Sequence, residues 1–406
     1  MPLLMRLEAM EKTEQNSRSK KAGVRKLKLT NFRCYAMANM DLDPEAPVVL
    51  FGANGAGKTN VLEAISFLAP GKGLRHARFA DVARHSSFMD EKITSMPLKW
   101  AVWAEVKTAG DMGDITIGTG CEPNALGETG TRRAVLINGE SSSQNELAEV
   151  FSAVWVTPAM DRLFGGELAP RRRFLDRLVQ AYDPAHTGRT NAYANAYKQW
   201  GKLLREGCRD TAWLASLENT MAEYGVAIAA ARNDLLNRLG PYLHESWGGF
   251  PKADIALDGF LENKLLAMPA LAVEDAFKEK LMASRFVYAD GGTVAGAHNT
   301  DLVVHHENGM EAALCSTGQQ KALLIAIVIA HARAMASERE DAAPLMLFDE
   351  AAAHLDKARR EALFEILLSL KGQSWFTGTD STAFASMDGK AQFFNIDNAE
   401  ISSAVA

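Results

Sequence analysis

Residues 48–59 read Val-Val-Leu-Phe-Gly-Ala-Asn-Gly-Ala-Gly-Lys-Thr, and this stretch decides the fold. An apolar run leads into the pattern G-x-x-x-x-G-K-[ST], which is the phosphate-binding P-loop. Its glycines let the backbone bend until the N–H groups point at phosphate oxygens. Residues 60–68 have helical periodicity, so the positive end of a helix should face the same phosphates. The stretch therefore predicts a nucleotide site in an α/β protein.

The residues of the P-loop have separate roles in this prediction. The Lys58 ammonium reaches the β- and γ-phosphates, and the Thr59 hydroxyl is a ligand of Mg²⁺. ATP and Mg²⁺ are thus the expected cofactors. The residues expected to bind the nucleotide here are Gly52, Ala53, Asn54, Gly55, Ala56, Gly57, Lys58, Thr59 and Asn60.

A second acidic motif lies far downstream, at the end of the apolar run 345–348. Such a run is typical of a buried parallel strand, and open α/β sheets bind ligands at the carboxyl ends of their strands. Asp349 fits the Walker B aspartate, which holds Mg²⁺ through water. Glu350 is then placed to act as the general base on the attacking water. The alternative is that the two acids only cap the helix predicted from about Lys357 to Leu370.

A third motif, Ser316-Thr317-Gly318-Gln319-Gln320, precedes a helical stretch from Lys321 to about Met335. It resembles the signature motif of ABC-type ATPases, in which the Ser and Gly of one subunit contact the γ-phosphate held by the other subunit. A hydroxyl, a glycine N–H and a helix N-terminus form one anion site, to which Ser316, Gly318 and Gln319 would contribute. A plain capping box, with Ser316 at the N-cap and Gln319 at N3, is the alternative, and both can hold together.

The composition agrees with an intracellular ATPase. The chain has 406 residues, of which 47% are hydrophobic and 23% are charged, as in ordinary globular proteins. Four scattered cysteines form no C-x-x-C pattern, which favours a reducing cytoplasm. No run reaches the length of a membrane span, so no membrane partner is expected, and the longest, residues 322–330, is interpreted as a buried helix. Residues 1–23 are expected to be a disordered leader.

The formal net charge of −6 has the wrong sign for a protein covered in nucleic-acid-binding surface. Any DNA site must therefore be a local basic patch. The residues selected as DNA-binding candidates are Arg75, beside the P-loop helix, and the run Arg171, Arg172 and Arg173. A solvated charged face explains each of these groups equally well.

The order of segments predicts one ATPase core that is split by a helical insertion. Strand patterns at 24–29 and 48–51 precede a β-rich stretch from 97 to 138, and residues 170–243 are helical. Helices are expected at 262–284, and strands at 286–288 and 302–305. The fold class is thus α/β, with a mixed sheet, a β-rich subdomain and an inserted helical lobe.

Several further stretches, taken in order, make the chain resemble the RecF family, small relatives of the SMC-type ATPases. Residues 27–35, Leu-Lys-Leu-Thr-Asn-Phe-Arg-Cys-Tyr, match the start of that family, and residues 52–63 match its P-loop and following helix. Residues 170–176, Pro-Arg-Arg-Arg-Phe-Leu-Asp, match the opening of its helical lobe. Residues 373–380, Gln-Ser-Trp-Phe-Thr-Gly-Thr-Asp, resemble its final strand and switch element.

This resemblance implies an ABC-type lobe I from residues 24–155 and 290–406, and a helical lobe II from residues 156–289. It adds Asp356 and Asp380 to the nucleotide site. It implies ATP-dependent homodimerisation, with two nucleotides held between opposite subunits, and slow, DNA-stimulated hydrolysis. The dimer would clamp double-stranded DNA near single-strand gaps, assist recombinase loading with the RecO and RecR proteins, and release DNA on hydrolysis.

Two other functions remain open on the motifs. The chain could be a nucleotide switch with little hydrolysis, against which Glu350 argues. It could be the nucleotide-binding subunit of a membrane transporter, but such subunits keep the P-loop and the signature much closer than Thr59 and Ser316 are in this chain.

Overall fold

The structure is a computed structural model that describes residues 23–84, 99–108, 113–121, 133–338, 343–352, 355–370 and 372–404. The expected leader lies outside the described residues, except for Gly23. The chain folds as two compact units. The first consists of the described residues up to Ser142, of Val150–Trp155 and of those from Ala332 onward, and the second consists of Ser143–Glu149 and Val156–His331.

The first unit contains an antiparallel sheet of six strands in the order β2-β1-β4-β5-β6-β7. Alternation of buried and exposed residues along β4 and β5 gives this sheet one face toward the core. The predicted first strand and β-rich stretch are both found in it. The strands are β1 (Gly23–Phe32), β2 (Tyr35–Asp41), β4 (Trp100–Lys107), β5 (Asp114–Cys121), β6 (Ala134–Ile137) and β7 (Glu140–Ser141).

A second six-stranded sheet of the same unit has the order β14-β13-β3-β12-β11-β8. Strand β3 pairs in parallel with β12 and β13, β11 pairs in parallel with β12, and β13 pairs antiparallel with β14 at the edge. The strands are β3 (Val48–Phe51), β8 (Ala153–Val156), β11 (Leu345–Phe348), β12 (Ser374–Gly378), β13 (Gln392–Asp397) and β14 (Glu400–Ala404). Helix α1 (Lys58–Ser66) follows β3, and α10 (Lys357–Ser369) follows β11.

Helices dominate the second unit. Their core surrounds the long helix α5 and includes the fully buried side chains of Trp200, Met221 and Phe277. Asp210 begins α5 by accepting the N–H groups of Ala212 and Trp213. The elements are α2 (Gln144–Val150), α3 (Leu168–Tyr182), α4 (His186–Arg205), α5 (Thr211–Leu243), α6 (Phe260–Leu265), α7 (Ala270–Ala283), α8 (Arg285–Ala289), the first part of α9 (Thr317–Glu338), and the strands β9 (Ala253–Asp258) and β10 (Asp301–His306).

Two sequence predictions differ from these elements, and one strand was not predicted. The predicted strand at residues 286–288 is helix α8, because Arg285 is anchored on Glu218 and Tyr288 packs against Trp200, so tertiary contacts override the β-propensity of the run. Strand β9 was not predicted. Helix α9 begins at Thr317 rather than at Lys321.

The predicted return to lobe I at residue 290 also comes too early. Residues up to His331 belong to the second unit. Strand β10 explains this difference, because it pairs antiparallel with β9 over its whole length, from Asp301↔Asp258 to His306↔Ala253. A strand that follows the helical lobe in sequence is therefore part of that lobe in space.

Helix α9 is the one candidate membrane span within the described part of the chain. It meets the length and composition of a span, but 83% of its most apolar window is buried inside the protein. Residues 322–330 are all buried, as predicted for this run. Its apolar character is that of a core helix.

A network of charged side chains crosses the core of the second unit. Arg232 donates to both oxygens of Asp176, at 2.9 and 3.1 Å, and to Glu262 Oε1 at 3.0 Å. His186 Nε2 lies 2.9 Å from Asp176 Oδ1, and the Thr300 hydroxyl donates to Glu262. Burial opposes ionisation of Asp176, but Arg232 and His186 outweigh it and hold the pKa at about 2. Because the pKa is lower than in an unfolded chain, this stabilisation is present above about pH 4 and is lost as the pH falls toward 2.

Arg232→Met should lower the free energy of unfolding by about 3–5 kcal/mol, since it leaves the buried carboxylate of Glu262 and the partly buried carboxylate of Asp176 without their arginine. Urea unfolding followed by tryptophan fluorescence measures this change. Arg238→Met is the matched control in the same helix: its partner Asp234 is exposed, so the loss should stay below about 1 kcal/mol. Equal losses in both variants would contradict the structural role of the network.

Candidate nucleotide site

The P-loop joins β3 to α1, and the surrounding chain requires glycine at two of its positions. Gly52 has φ +145°, and a Cβ there would lie 2.1 Å from the carbonyl oxygen of Ile396. Gly57 has φ +122°, and a Cβ would lie 2.7 Å from the hydroxyl of Tyr35. The same hydroxyl donates to the Gly57 carbonyl at 3.1 Å. The loop is therefore held tightly between β13 and the turn after β1.

Lys58 lies folded over this loop. Its ammonium donates to the carbonyl oxygens of Gly52 at 2.7 Å and Ala53 at 2.8 Å. Burial lowers the pKa of Lys58, while the negative charges of Glu350 and Asp349 act in the opposite direction. A cation held at the mouth of a loop of backbone N–H groups suits the β- and γ-phosphates of a nucleotide.

Thr59 and Asp349 meet although they lie 290 residues apart in the sequence. The Thr59 hydroxyl donates to Asp349 Oδ1 at 2.8 Å. The negative charge of Asp349 also acts to raise the pKa of Lys58 in the same loop. One hydroxyl and one carboxylate at the edge of a phosphate loop form the hard oxygen set that Mg²⁺ prefers. These two residues thus fit the magnesium site predicted from the sequence.

Thr377, at the end of β12, joins the two acids and was not predicted as a site residue. Its hydroxyl donates to Asp349 Oδ1 at 2.9 Å and accepts the backbone N–H of Glu350 at 2.8 Å. One side chain therefore fixes both the aspartate and the backbone of the residue that follows it. Thr377 lies in a strand that pairs with β11, and knowledge of that pairing would have indicated its role. Neither segment of sequence shows by itself that the two strands are neighbours.

Glu350 has the left-handed backbone conformation, with φ +52°. This conformation is uncommon for residues other than glycine, asparagine and aspartate, and such strain concentrates at functional sites. The N–H bond to Thr377 helps to hold it. The turn ends β11 directly after Asp349, and separate roles for the two acids stay a prediction.

Glu63 on helix α1 has no exposed surface, and its carboxylate accepts hydrogen bonds from two arginines. Arg33 forms a paired contact with its carboxylate at 2.6 and 2.8 Å, and Arg75 donates to it at 2.8 Å. Arg75 also donates to the side chain of Asn60 at 2.7 Å. Arg75 lies against the P-loop helix with its side chain 40% exposed, and its predicted DNA contact stays a prediction.

The signature motif forms a capping box at the start of α9. The Ser316 N–H donates to Gln319 Oε1 at 3.0 Å, and the Gln319 N–H donates back to Ser316 Oγ at 3.3 Å. Ser316, Thr317 and Gly318 are exposed. The capping box is thus present, the exposed helix N-terminus is available to an anion, and the signature role stays a prediction.

The two aspartates added by resemblance have local partners. Asp356 caps α10 by accepting the N–H of Arg359 at 2.9 Å. Asp380 is exposed and accepts the N–H of Thr382 at 2.8 Å, and the hydrogen bond from the Thr382 hydroxyl lowers the pKa of Asp380. A nucleotide role for either residue stays a prediction.

The three consecutive arginines of α3 have three different surroundings. Arg171 is mostly buried and makes a paired contact with Asp301 at 2.6 and 2.7 Å, which raises the pKa of Arg171. Arg172 is half-buried, and its Nη1 has no hydrogen-bond partner among the described residues. Only Arg173 is exposed. Arg173 is therefore the member of the run whose surroundings suit DNA phosphates.

Comparison with known proteins places this site in a family. The family described as the RecF/RecN/SMC N terminal domain matches residues 23–401. A protein of Mesorhizobium japonicum, named DNA replication and repair protein RecF, is 46% identical over 93% of this chain and 97% of its own length. A protein of the same name from Brucella suis is 44% identical over 97% of this chain and 99% of its own length.

Solved structures agree on the fold. The recombination mediator protein RecF bound to ATPrS, described as part of the RecFOR pathway, superposes with a TM-score of 0.78 at 20% identity, over 95% of this chain and 99% of that one. The Smc head domain of Pyrococcus furiosus gives a TM-score of 0.53 at 16% identity, over 95% of this chain and 96% of that one. The predicted α/β ABC-type core with an inserted helical lobe is confirmed.

Thr377→Val should lower ATP turnover about tenfold or more, because it removes the bonds that orient Asp349 and Glu350 while preserving the shape of the side chain. Steady-state phosphate release measures the rate, and nucleotide titration measures binding. Thr377→Ser keeps the hydroxyl and should retain most of the rate. Wild-type turnover in Thr377→Val would mean that the hydroxyl does not organise the site.

Proposed function

We propose a function for this chain on the ground that it belongs to the RecF family of DNA replication and repair proteins. The chain binds ATP at the P-loop and uses the bound nucleotide to control its hold on DNA during replication and gap repair. The observation that carries this proposal is the hydrogen bond from Thr59 to Asp349. It joins the phosphate loop to the acidic motif in one site.

The chemistry follows from the positions of five side chains. Lys58 neutralises the β- and γ-phosphates, and Thr59 and Asp349 hold Mg²⁺, which supplies charge stabilisation to the phosphoryl group. Glu350 accepts a proton from the attacking water, so that the oxygen adds to the γ-phosphorus as the bond to ADP breaks. Through its two hydrogen bonds, the Thr377 hydroxyl holds the Asp349 carboxylate and the Glu350 backbone in place during the reaction.

The second half of the site comes from another copy of the chain. Ser316 and Gly318 are exposed at the N-terminus of α9, where a hydroxyl, an N–H and the helix dipole converge on an anion. In an ATP-bound homodimer each signature covers the γ-phosphate of the partner subunit, with Gln319 holding Ser316 in place. Hydrolysis removes that phosphate and opens the dimer.

The dimer holds double-stranded DNA near single-strand gaps, and DNA stimulates its slow hydrolysis. Contacts to phosphates carry this binding, which makes it largely independent of sequence. Arg173 supplies such contacts, while Arg75 serves the nucleotide side. The RecR and RecO proteins are the expected partners, and the cytoplasm is the expected compartment, both through the family.

Two other functions are weighed against this one. Family membership argues against a transporter subunit. A nucleotide switch with little hydrolysis keeps every binding residue and differs only in turnover. An ATPase assay with and without gapped duplex DNA decides between the two: the proposal expects hydrolysis that rises with DNA, and a rate at background under both conditions would favour the switch.

Glu350→Gln should bind ATP and hydrolyse it at least about 100-fold more slowly, because the amide keeps the shape of the base but cannot take the proton. The ATP-bound dimer should then persist, as measured by sedimentation in saturating ATP and Mg²⁺. Lys58→Ala is the contrasting variant, since it should lose ATP binding itself. A monomeric Glu350→Gln protein under these conditions would contradict the ATP-driven dimer.

DNA affinity should fall steeply as salt rises, because each phosphate contact releases counterions. Arg173→Ala should reduce the slope of log affinity against log salt by about one for each phosphate contact that it removes. Arg209→Ala, an exposed arginine outside the predicted patches, is the control and should leave the slope unchanged. An equal slope in the wild type and Arg173→Ala would move the DNA surface elsewhere.

A further inference from the structure

The buried side of the signature turn, residues 313–321, contains an ion pair that no motif explains. Lys321 is 4% exposed, and its ammonium lies 3.3 Å from Asp161 Oδ1. The side chain of Asp161 is 33% exposed. Neither atom has a hydrogen-bond partner within the described residues, so each depends on the other's charge. Lys321 is the fifth residue of α9 and follows Ser316 by five positions.

Lysine is a poor choice for this position on general grounds. A cation near the N-terminal end of a helix gains nothing from the helix dipole, and burial of an ammonium costs free energy that its ion pair only partly offsets. An apolar side chain of similar volume would fill the space without that cost. The gain must therefore lie in orientation rather than in stability.

Asp161 belongs to a supporting turn, residues 157–166, that packs against the signature turn. Its backbone is closed by bonds from Met160 N–H to Thr157 and from Leu163 N–H to Met160, both at 2.9 Å. A Cβ on Gly165 would lie 3.6 Å from the Ala313 carbonyl oxygen, which is an ordinary van der Waals distance. The two turns therefore lie against each other at this point. On the signature side, Gln320 Nε2 donates to the Cys315 carbonyl at 3.0 Å.

Arg171 fixes the supporting turn in its place. Its Nη1 donates to the carbonyl oxygens of Phe164 at 3.0 Å and Gly166 at 2.7 Å, while its other nitrogens bind Asp301 at the start of β10. Strand β10 leads back into the signature turn. Arg171, Asp161 and Lys321 thus form a continuous brace from α3 to the start of α9.

We propose that Asp161 and Lys321 are positioning residues for ATP hydrolysis, and that their ion pair sets the orientation in which Ser316 and Gly318 meet the partner subunit's γ-phosphate. The capping box holds the exposed side of the turn, and this pair holds its buried side. The inference rests on the proposed composite site. It requires that losing the pair harms the partner's nucleotide site and leaves the subunit's own P-loop intact.

Asp161→Asn tests the pair with little change in volume. Turnover should fall about tenfold or more, as expected when a catalytic contact is displaced by about 1 Å, while ATP affinity of the isolated subunit stays at the wild-type value. Asp234→Asn, which neutralises an exposed aspartate of α5, should leave both quantities unchanged. The exchanged pair Asp161→Lys with Lys321→Glu should recover most of the rate, because it restores the attraction and puts the acid at the helix N-terminus.

Mixing of subunits separates a positioning role from simple damage to the fold. In a heterodimer of Asp161→Asn and Lys58→Ala subunits, one site combines an intact P-loop with an intact signature turn. The mixture should therefore hydrolyse ATP faster than either variant alone. Absence of recovery, loss of ATP binding in Asp161→Asn, or wild-type turnover in that variant would each overturn the inference.

Ser316→Arg, measured alongside, identifies which idea has failed. If Ser316→Arg keeps full turnover, the composite site itself is wrong. If Ser316→Arg loses turnover and Asp161→Asn retains it, the composite site stands and only the role of the ion pair is refuted.

Discussion

The parallel pairing of β3 with β12 and β13 is the interaction on which the nucleotide site depends. In this register Val48 lies opposite Trp375 on one side and Gln392 on the other, so the strands end together at one edge of the sheet. That edge presents the P-loop after β3, the acids after β11 and Thr377 at the end of β12. A slip of one residue would turn every side chain of a strand to the opposite face.

Local patterns in the sequence were sufficient for the parts of the site that one segment builds alone. The P-loop carries its glycines, lysine and threonine within eight residues, and Asp349 and Glu350 follow an apolar run that is typical of a buried strand. Thr377 and Glu63 are different, because their roles depend on neighbours from other segments. Glu63 lies 30 residues from Arg33 and Thr377 lies 28 from Asp349. No periodicity within either segment specifies those contacts.

The arginines illustrate the same limit for electrostatics. A run of basic residues in a sequence is compatible with a solvated patch, a phosphate site or an internal ion pair. Arg171 and Arg75 belong to the third group because Asp301 and Glu63, distant in sequence, reach them in the fold. Arg173 lies two residues after Arg171 on the same helix but faces solvent. A helix presents successive residues about 100° apart, so three adjacent arginines cannot share one environment.

The position of β3 also bears on how the protein is made. A ribosome completes the P-loop early, but the two strands that flank β3 come from residues 374–378 and 392–397. At synthesis rates of about 5–20 residues per second, the loop would wait about 15–70 s for those neighbours. During that time β3 is an apolar strand with two open edges, which is the kind of segment that recruits chaperones or aggregates. A chain that ends before β13 lacks one of the two strands that pair with β3, so it leaves one edge of that central strand open.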